Sequence, residues 1–130
     1  MSYFIIGLEE TQQIHLDDRG FIEALMRDWP GTQIKPCTEP NSPFLFEWET
    51  PCKTWKLGGF FYKSRDALSF DGQWDDCLIF ALWCRIQLSE QPRLLFFDQG
   101  FYFDMELKPS TTAEEISAAL ASGASELFKT

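Results

Sequence analysis

"GQWDDCLIFALWCRIQL", residues 72–88, is the most hydrophobic stretch of the chain, yet it opens on two aspartates and holds two cysteines. Whether it is a membrane anchor, a strand or a helix decides the fold. Its longest unbroken apolar run, Cys77 to Cys84, is eight residues. A bilayer span needs about 20. The whole pattern runs for about 14 residues, beyond the usual length of a strand, which favours a helix over residues 75–88. Asp75 and Asp76 then fall in the first turn, where the helix dipole favours acids.

On a helical wheel, Cys77, Ala81, Cys84 and Leu88 share one side. Ile79, Trp83 and Ile86 lie nearly opposite. Leu78 and Leu82 fill one flank and Phe80 the other, and only Arg85 and Gln87 interrupt the apolar surface after the first turn. A helix apolar all round is buried all round. A sheet covers one side of it, so another helix of the chain or a second subunit must cover the other. Ile79, Trp83 and Ile86 are therefore the candidate partner or dimer interface.

Working outward toward the N-terminus, Tyr3 to Leu8 reads as a short strand. Asp17 or Asp18 can cap a helix in which Phe21, Ile22, Leu25, Met26 and Trp29 recur at helical spacing until Pro30-Gly31 ends it. Residues 31–43 are rich in Pro, Gly, Ser, Thr and Asn and read as a long loop. Three strands follow. Phe44 to Glu49 places Phe44, Phe46 and Trp48 on one face. Trp55 to Tyr62 contains Gly58-Gly59, the mark of a bulge or a close approach. Ala67 to Phe70 ends at an Asp71-Gly72 turn.

Toward the C-terminus, Pro92 precedes a hairpin of Leu94 to Asp98 and Phe101 to Leu107 around Gln99-Gly100. In its second strand Phe101, Phe103, Met105 and Leu107 alternate with Tyr102, Asp104, Glu106 and Lys108. The apolar set faces in, and one solvated face fits an antiparallel sheet. After Pro109-Ser110-Thr111, the residues Thr112 to Glu115 form a capping box. Ile116, Ala119, Leu120, Ala124 and Leu127 follow as an apolar stripe, with Gly123 near its end. These elements predict one α+β domain over residues 1–130. It has a mainly antiparallel sheet of about five to six strands and three helices, in the order (β)-α-β-β-β-α-β-β-α.

Charge bounds the partners. Twenty acidic and 11 basic residues give a formal net charge of −9. That balance disfavours nucleic acid and anionic membrane surfaces and favours a basic protein or peptide. The 16% aromatic content is high enough to supply a second buried surface at an interface. MSYFIIGLEE lacks a basic segment and does not read as a signal peptide, so the expected compartment is the cytoplasm. The four cysteines form no CxxC pair. Cys77 and Cys84 on a helix lie about 10 Å apart along its axis, too far for a bridge, and read as buried free thiols. Cys37 and Cys52 both sit in loop-like sequence beside a proline. A bridge between them is conceivable by position, but a reducing compartment disfavours it.

Catalytic signals are sparse. His15 is the only histidine, and no nucleophile motif accompanies it. Asp104 and Glu106, about 7 Å apart on one strand face, form a spaced carboxylate pair that could do acid/base work. With Tyr102 they form a candidate ligand or acidic surface. Asp71, Asp75 and Asp76 do not match a calcium loop, and helix capping accounts for them. No phosphate cradle appears, and no metal or other cofactor is expected.

The element order, size and acidity resemble the type III secretion chaperone-like fold over residues 18–128. The Tyr3–Leu8 strand and the 31–43 loop are additions to that pattern. The resemblance implies small acidic cytoplasmic proteins that dimerise through the middle helix and hold partner segments on their surface. The expected function is accordingly a non-catalytic protein-binding module, chaperone-like or an adaptor. One alternative is an acidic inhibitor or immunity-type protein masking a basic partner. Another is a small ligand-binding domain or enzyme using Asp104, Glu106 and exposed aromatics.

Overall fold

The computed structural model describes residues 2–8, 16–53, 55–88, 93–98 and 103–123. His15, Pro92, the Gln99-Gly100 turn, Phe101, Tyr102, Ala124 and Leu127 lie outside the described residues.

Ten elements follow one another: β1 (Ser2–Leu8), α1 (Asp18–Asp28), β2 (Gln33–Pro36), β3 (Phe44–Pro51), β4 (Lys56–Tyr62), β5 (Ala67–Gly72), α2 (Trp74–Gln87), β6 (Leu94–Asp98), β7 (Asp104–Leu107) and α3 (Ala113–Ser122). The fold is α+β, a single domain. The strands form one seven-stranded sheet in the order β2-β3-β4-β5-β1-β6-β7. Every neighbouring pair is antiparallel.

The sheet is wider than the five to six strands expected, because β2 forms inside the segment read as a loop. Its sequence, QIKP, leaves only Ile34 half-buried. A strand on the sheet edge needs little apolar surface, and lysine and proline are usual there. β5 also runs on through Asp71-Gly72, which pair with Tyr3 and Ser2 instead of turning. A neighbouring strand on each side gave that dipeptide a ladder to join, and pairing overrode its turn propensity.

The core lies between the sheet and the helices. Phe46, Phe61, Leu68, Ile6, Phe96 and Met105 stand in register across six strands, and all are buried. In the adjacent row Trp48 stands opposite Gly59. The Trp48 indole stacks on Phe80 of α2 at 5.7 Å and 21°. A Cβ at Gly59 would lie 2.8 Å from that indole and would collide with the Ser69 carbonyl. Gly58-Gly59 is therefore a close approach, while the ladder irregularity falls between Phe44 and Phe46.

All three helices cover this one face. In α1, Asp17 caps through its carboxylate, which accepts from the Gly20 N–H at 3.1 Å. Its Phe21 packs edge-on against Trp48. Trp74 at the start of α2 packs against Phe4 of β1. The expected capping box at Thr112 and Glu115 starts α3, which lies against β7 and α2. The opposite face carries the alternate residues. Lys35, Glu47, Phe60, Ser69, Ile5, Phe97 and Asp104 form one row across all seven strands.

Candidate binding surfaces

Two surfaces stand out, one on each side of the molecule. The first is the outer ridge of α2. This helix occupies the middle of the helical layer. On one flank Trp83 donates its Nε1–H to Asp28 of α1 at 2.9 Å, and Arg27 of α1 reaches Gln87 at 3.2 Å. On the other flank lies α3. Cys77, Phe80, Ala81 and Cys84 face the sheet and are buried. What is left outward is Ile79, 58% exposed, and Ile86, 69% exposed.

Trp83 departs from its expected place. It is half-buried and packs its ring against Phe21, Trp29 and Phe80. The three-residue interface is thus two exposed isoleucines with a tryptophan wedged beside them. Arg85, which interrupts the apolar pattern of α2, is only 5% exposed. Its guanidinium donates to the carbonyls of Leu107 at 2.8 Å and Leu88 at 3.0 Å. Burial pushes its pKa down, opposed by Glu106.

The acidic surface expected on β7 is corrected. Asp104 does lie on the face away from the helices, but it is fully buried. Glu106 is half-buried and accepts from Arg93 at 3.1 Å. Period-two alternation fixes which face a side chain takes, and says nothing of whether that face is wet. No accessible carboxylate pair results, and Tyr102 lies outside the described residues.

The second surface was not anticipated. It is a trough on the helix-free face along β3. A cavity of about 660 Å³ lies between β2, β3 and the loop over residues 37–43, lined by Lys35, Cys37, Glu39, Phe44, Glu47 and Phe60 among others. A second hollow of about 190 Å³ is lined by Glu49, Trp55, Gly58, Phe60 and Asp71. A third of about 160 Å³ borders Gln33, Lys35 and Glu49. All three share Glu47. The β3 lining from Phe44 to Glu49 makes this trough about 17 Å long.

Local sequence builds it. Phe44 and Phe60 stack at 4.2 Å and 23° to form an aromatic floor. Gly58 has no side chain on this face, and in register it separates Glu49 from Asp71. The 37–43 loop is held by Lys63, whose Nζ donates to the carbonyls of Glu39 at 3.3 Å and Pro40 at 3.5 Å. Lys35 lies 3.7 Å from Glu47 and Lys56 3.3 Å from Glu49. Burial pushes the Asp71 carboxyl above its ordinary value, and Lys56 opposes that shift. Trp55 stands 51% exposed at the rim. Sequence reading missed the trough because its wall is β2 and its notch is a glycine, and neither carries an apolar signal.

The remaining chemistry-bearing residues do not converge. Among the described residues no group of three or more His, Cys, Asp or Glu side chains could hold a metal ion. All four cysteines are free. Cys37 stands opposite Leu45, to whose carbonyl its N–H donates, whereas Cys52 follows the far end of β3. The two are about 20 Å apart at strand rise, which rules out a bridge between them. Burial pushes the Cys77 thiol up to about 12 and the Cys84 thiol well above its ordinary value. Among the described residues no helix is long and apolar enough to cross a membrane. No protein-family model, curated protein or solved structure matches the chain.

Proposed function

We propose that the protein is a non-catalytic protein-binding module that pairs with a second copy of itself through α2. The observation that carries this reading is the outer ridge of the middle helix, with Ile79 58% and Ile86 69% exposed. The ridge is nearly palindromic. Two α2 helices crossing antiparallel set Ile79 of each copy against Ile86 of the other, as an isologous two-fold contact requires. Burying an isoleucine side chain contributes about 1.5–3 kcal/mol, and four meet in the pair. A chaperone-like or adaptor role in the cytoplasm suits the charge of −9 and the four free thiols.

The test is solution mass by light scattering across protein concentration, for the parent chain and for Ile79→Lys/Ile86→Lys. The two side chains are exposed, so the variant keeps its fold, checked by circular dichroism. A dimer that becomes a folded monomer in the variant is the expected result. A parent chain that stays monomeric at high concentration overturns the reading. Trp83 is a poor place for this test, because its ring packs between α1 and α2.

A further inference from the structure

We infer that the trough along β3 takes an extended basic polypeptide segment, with a Lys or Arg side chain seated over Gly58 between Glu49 and Asp71. The inference rests on the reading of the chain as a protein-binding module and names the chemistry of its partner.

Shape selects an extended chain. Three hollows that all border Glu47 are lined by β3 from Phe44 to Glu49, about 17 Å at strand rise. That length suits about five extended residues. The cavity of about 660 Å³ at one end is large enough for a bulky side chain, with the Phe44–Phe60 stack as its floor.

Charge selects a basic chain. The trough is lined by Glu39, Glu47, Glu49 and Asp71 against Lys35 and Lys56. Both lysines are already paired, to Glu47 and Glu49. Among the described residues neither Glu39 nor Asp71 is in an ion pair. Four acids against two lysines therefore leave the aromatic-floored trough with surplus negative charge. The aliphatic stem of a lysine or arginine packs on Phe60 while its head reaches Asp71.

The β2 edge of the sheet, which borders the trough, offers no better mode. The Cys37 N–H donates to the Leu45 carbonyl, and alternation then turns the backbone groups of Ile34 and Pro36 toward the open edge. Pro36 has no N–H to offer. An added strand finds a broken ladder there, so the segment must lie across the face.

The experiment is fluorescence anisotropy with a labelled nine-residue peptide of alternating lysine and serine, and with its glutamate–serine counterpart. The lysine peptide is expected to bind, to weaken at least tenfold in Asp71→Asn, and to keep its affinity in Glu114→Gln. Glu114 is an exposed acid in the first turn of α3, on the helical side, so it controls for general attraction to an acidic protein. The glutamate peptide is expected not to bind. Equal losses in both variants, or no binding of the lysine peptide, overturn the inference. So does binding of a neutral oligosaccharide in the trough without the lysine peptide. Light scattering on the same samples keeps the two proposals apart: a dimer without peptide binding removes the trough alone, and a monomer that binds peptide removes the α2 pairing alone.

Discussion

Asp28 holds two side chains at the α1–α2 seam. Its carboxylate accepts from Arg27 twice at 2.9 Å and from the Trp83 indole at 2.9 Å. The Arg27 hydrogen bond, then that of Trp83, holds the Asp28 pKa down at about 2 against an ordinary 3.8. A carboxyl lowered in the folded state favours folding fully above its unfolded value, and that contribution is lost as the pH falls through the folded value. The expected result is a Trp83 indole N–H resonance that stays constant down to pH 3.8 and titrates at about 2. Asp28→Asn is expected to remove the titration. A midpoint at the ordinary carboxylate value would show that the seam does not hold in solution. Spacing placed Trp83 on the outer side of α2, but its hydrogen-bond partner 55 residues away turned the ring inward.

At the scale of elements, α2 is held to β7 by Arg85. Two buried carbonyls, of Leu107 and Leu88, accept from its guanidinium. Arg85→Met keeps much of the side-chain volume and leaves both carbonyls without those donors. The expected loss is about 3 kcal/mol in urea unfolding, as for a buried charged hydrogen-bond donor removed from its acceptors. A loss under about 1 kcal/mol would mean that water replaces the guanidinium. The same helix shows how far periodicity carries. The sheet-facing side of α2 was legible from Cys77, Ala81, Cys84 and Leu88, all buried. Arg85 was not, because a buried arginine and a surface arginine look alike in sequence; only carbonyl acceptors on neighbouring elements distinguish them.

At the scale of the whole molecule, β1 is the strand on which the sheet depends. It pairs with β5 on one side and β6 on the other, so it joins β2–β5 to β6–β7. Removal of residues 2–8 is expected to abolish cooperative unfolding, read by circular dichroism and calorimetry, although only one short terminal strand is lost. It would open two ladders at once and expose Phe70 and Phe96, which Phe4 packs between at 6.0 and 5.2 Å. A truncated chain that still unfolds in one sharp transition would contradict this role. Read as a sequence, YFIIGL is an addition to the family resemblance; in the sheet it lies between two other strands.

The sequence by itself determined the α+β class, all three helices, the positions of the larger strands and the inward faces of β7 and of Phe46 and Trp48 on β3, while the ladder irregularity between Phe44 and Phe46 turns Phe44 to the other face, onto Phe60. Those features follow from periodicity, caps and breakers, which act within a few residues. Only the tertiary structure decided that QIKP is an edge strand, that Asp71-Gly72 continues β5, and that β1 lies inside the sheet. It alone buried Asp104, turned Trp83 inward, left Ile79 and Ile86 bare, and opened the trough along β3. Each of those outcomes depends on strand order and on neighbours distant in sequence. A residue's own pattern fixes the direction it faces, but what stands on that side is fixed by the rest of the fold.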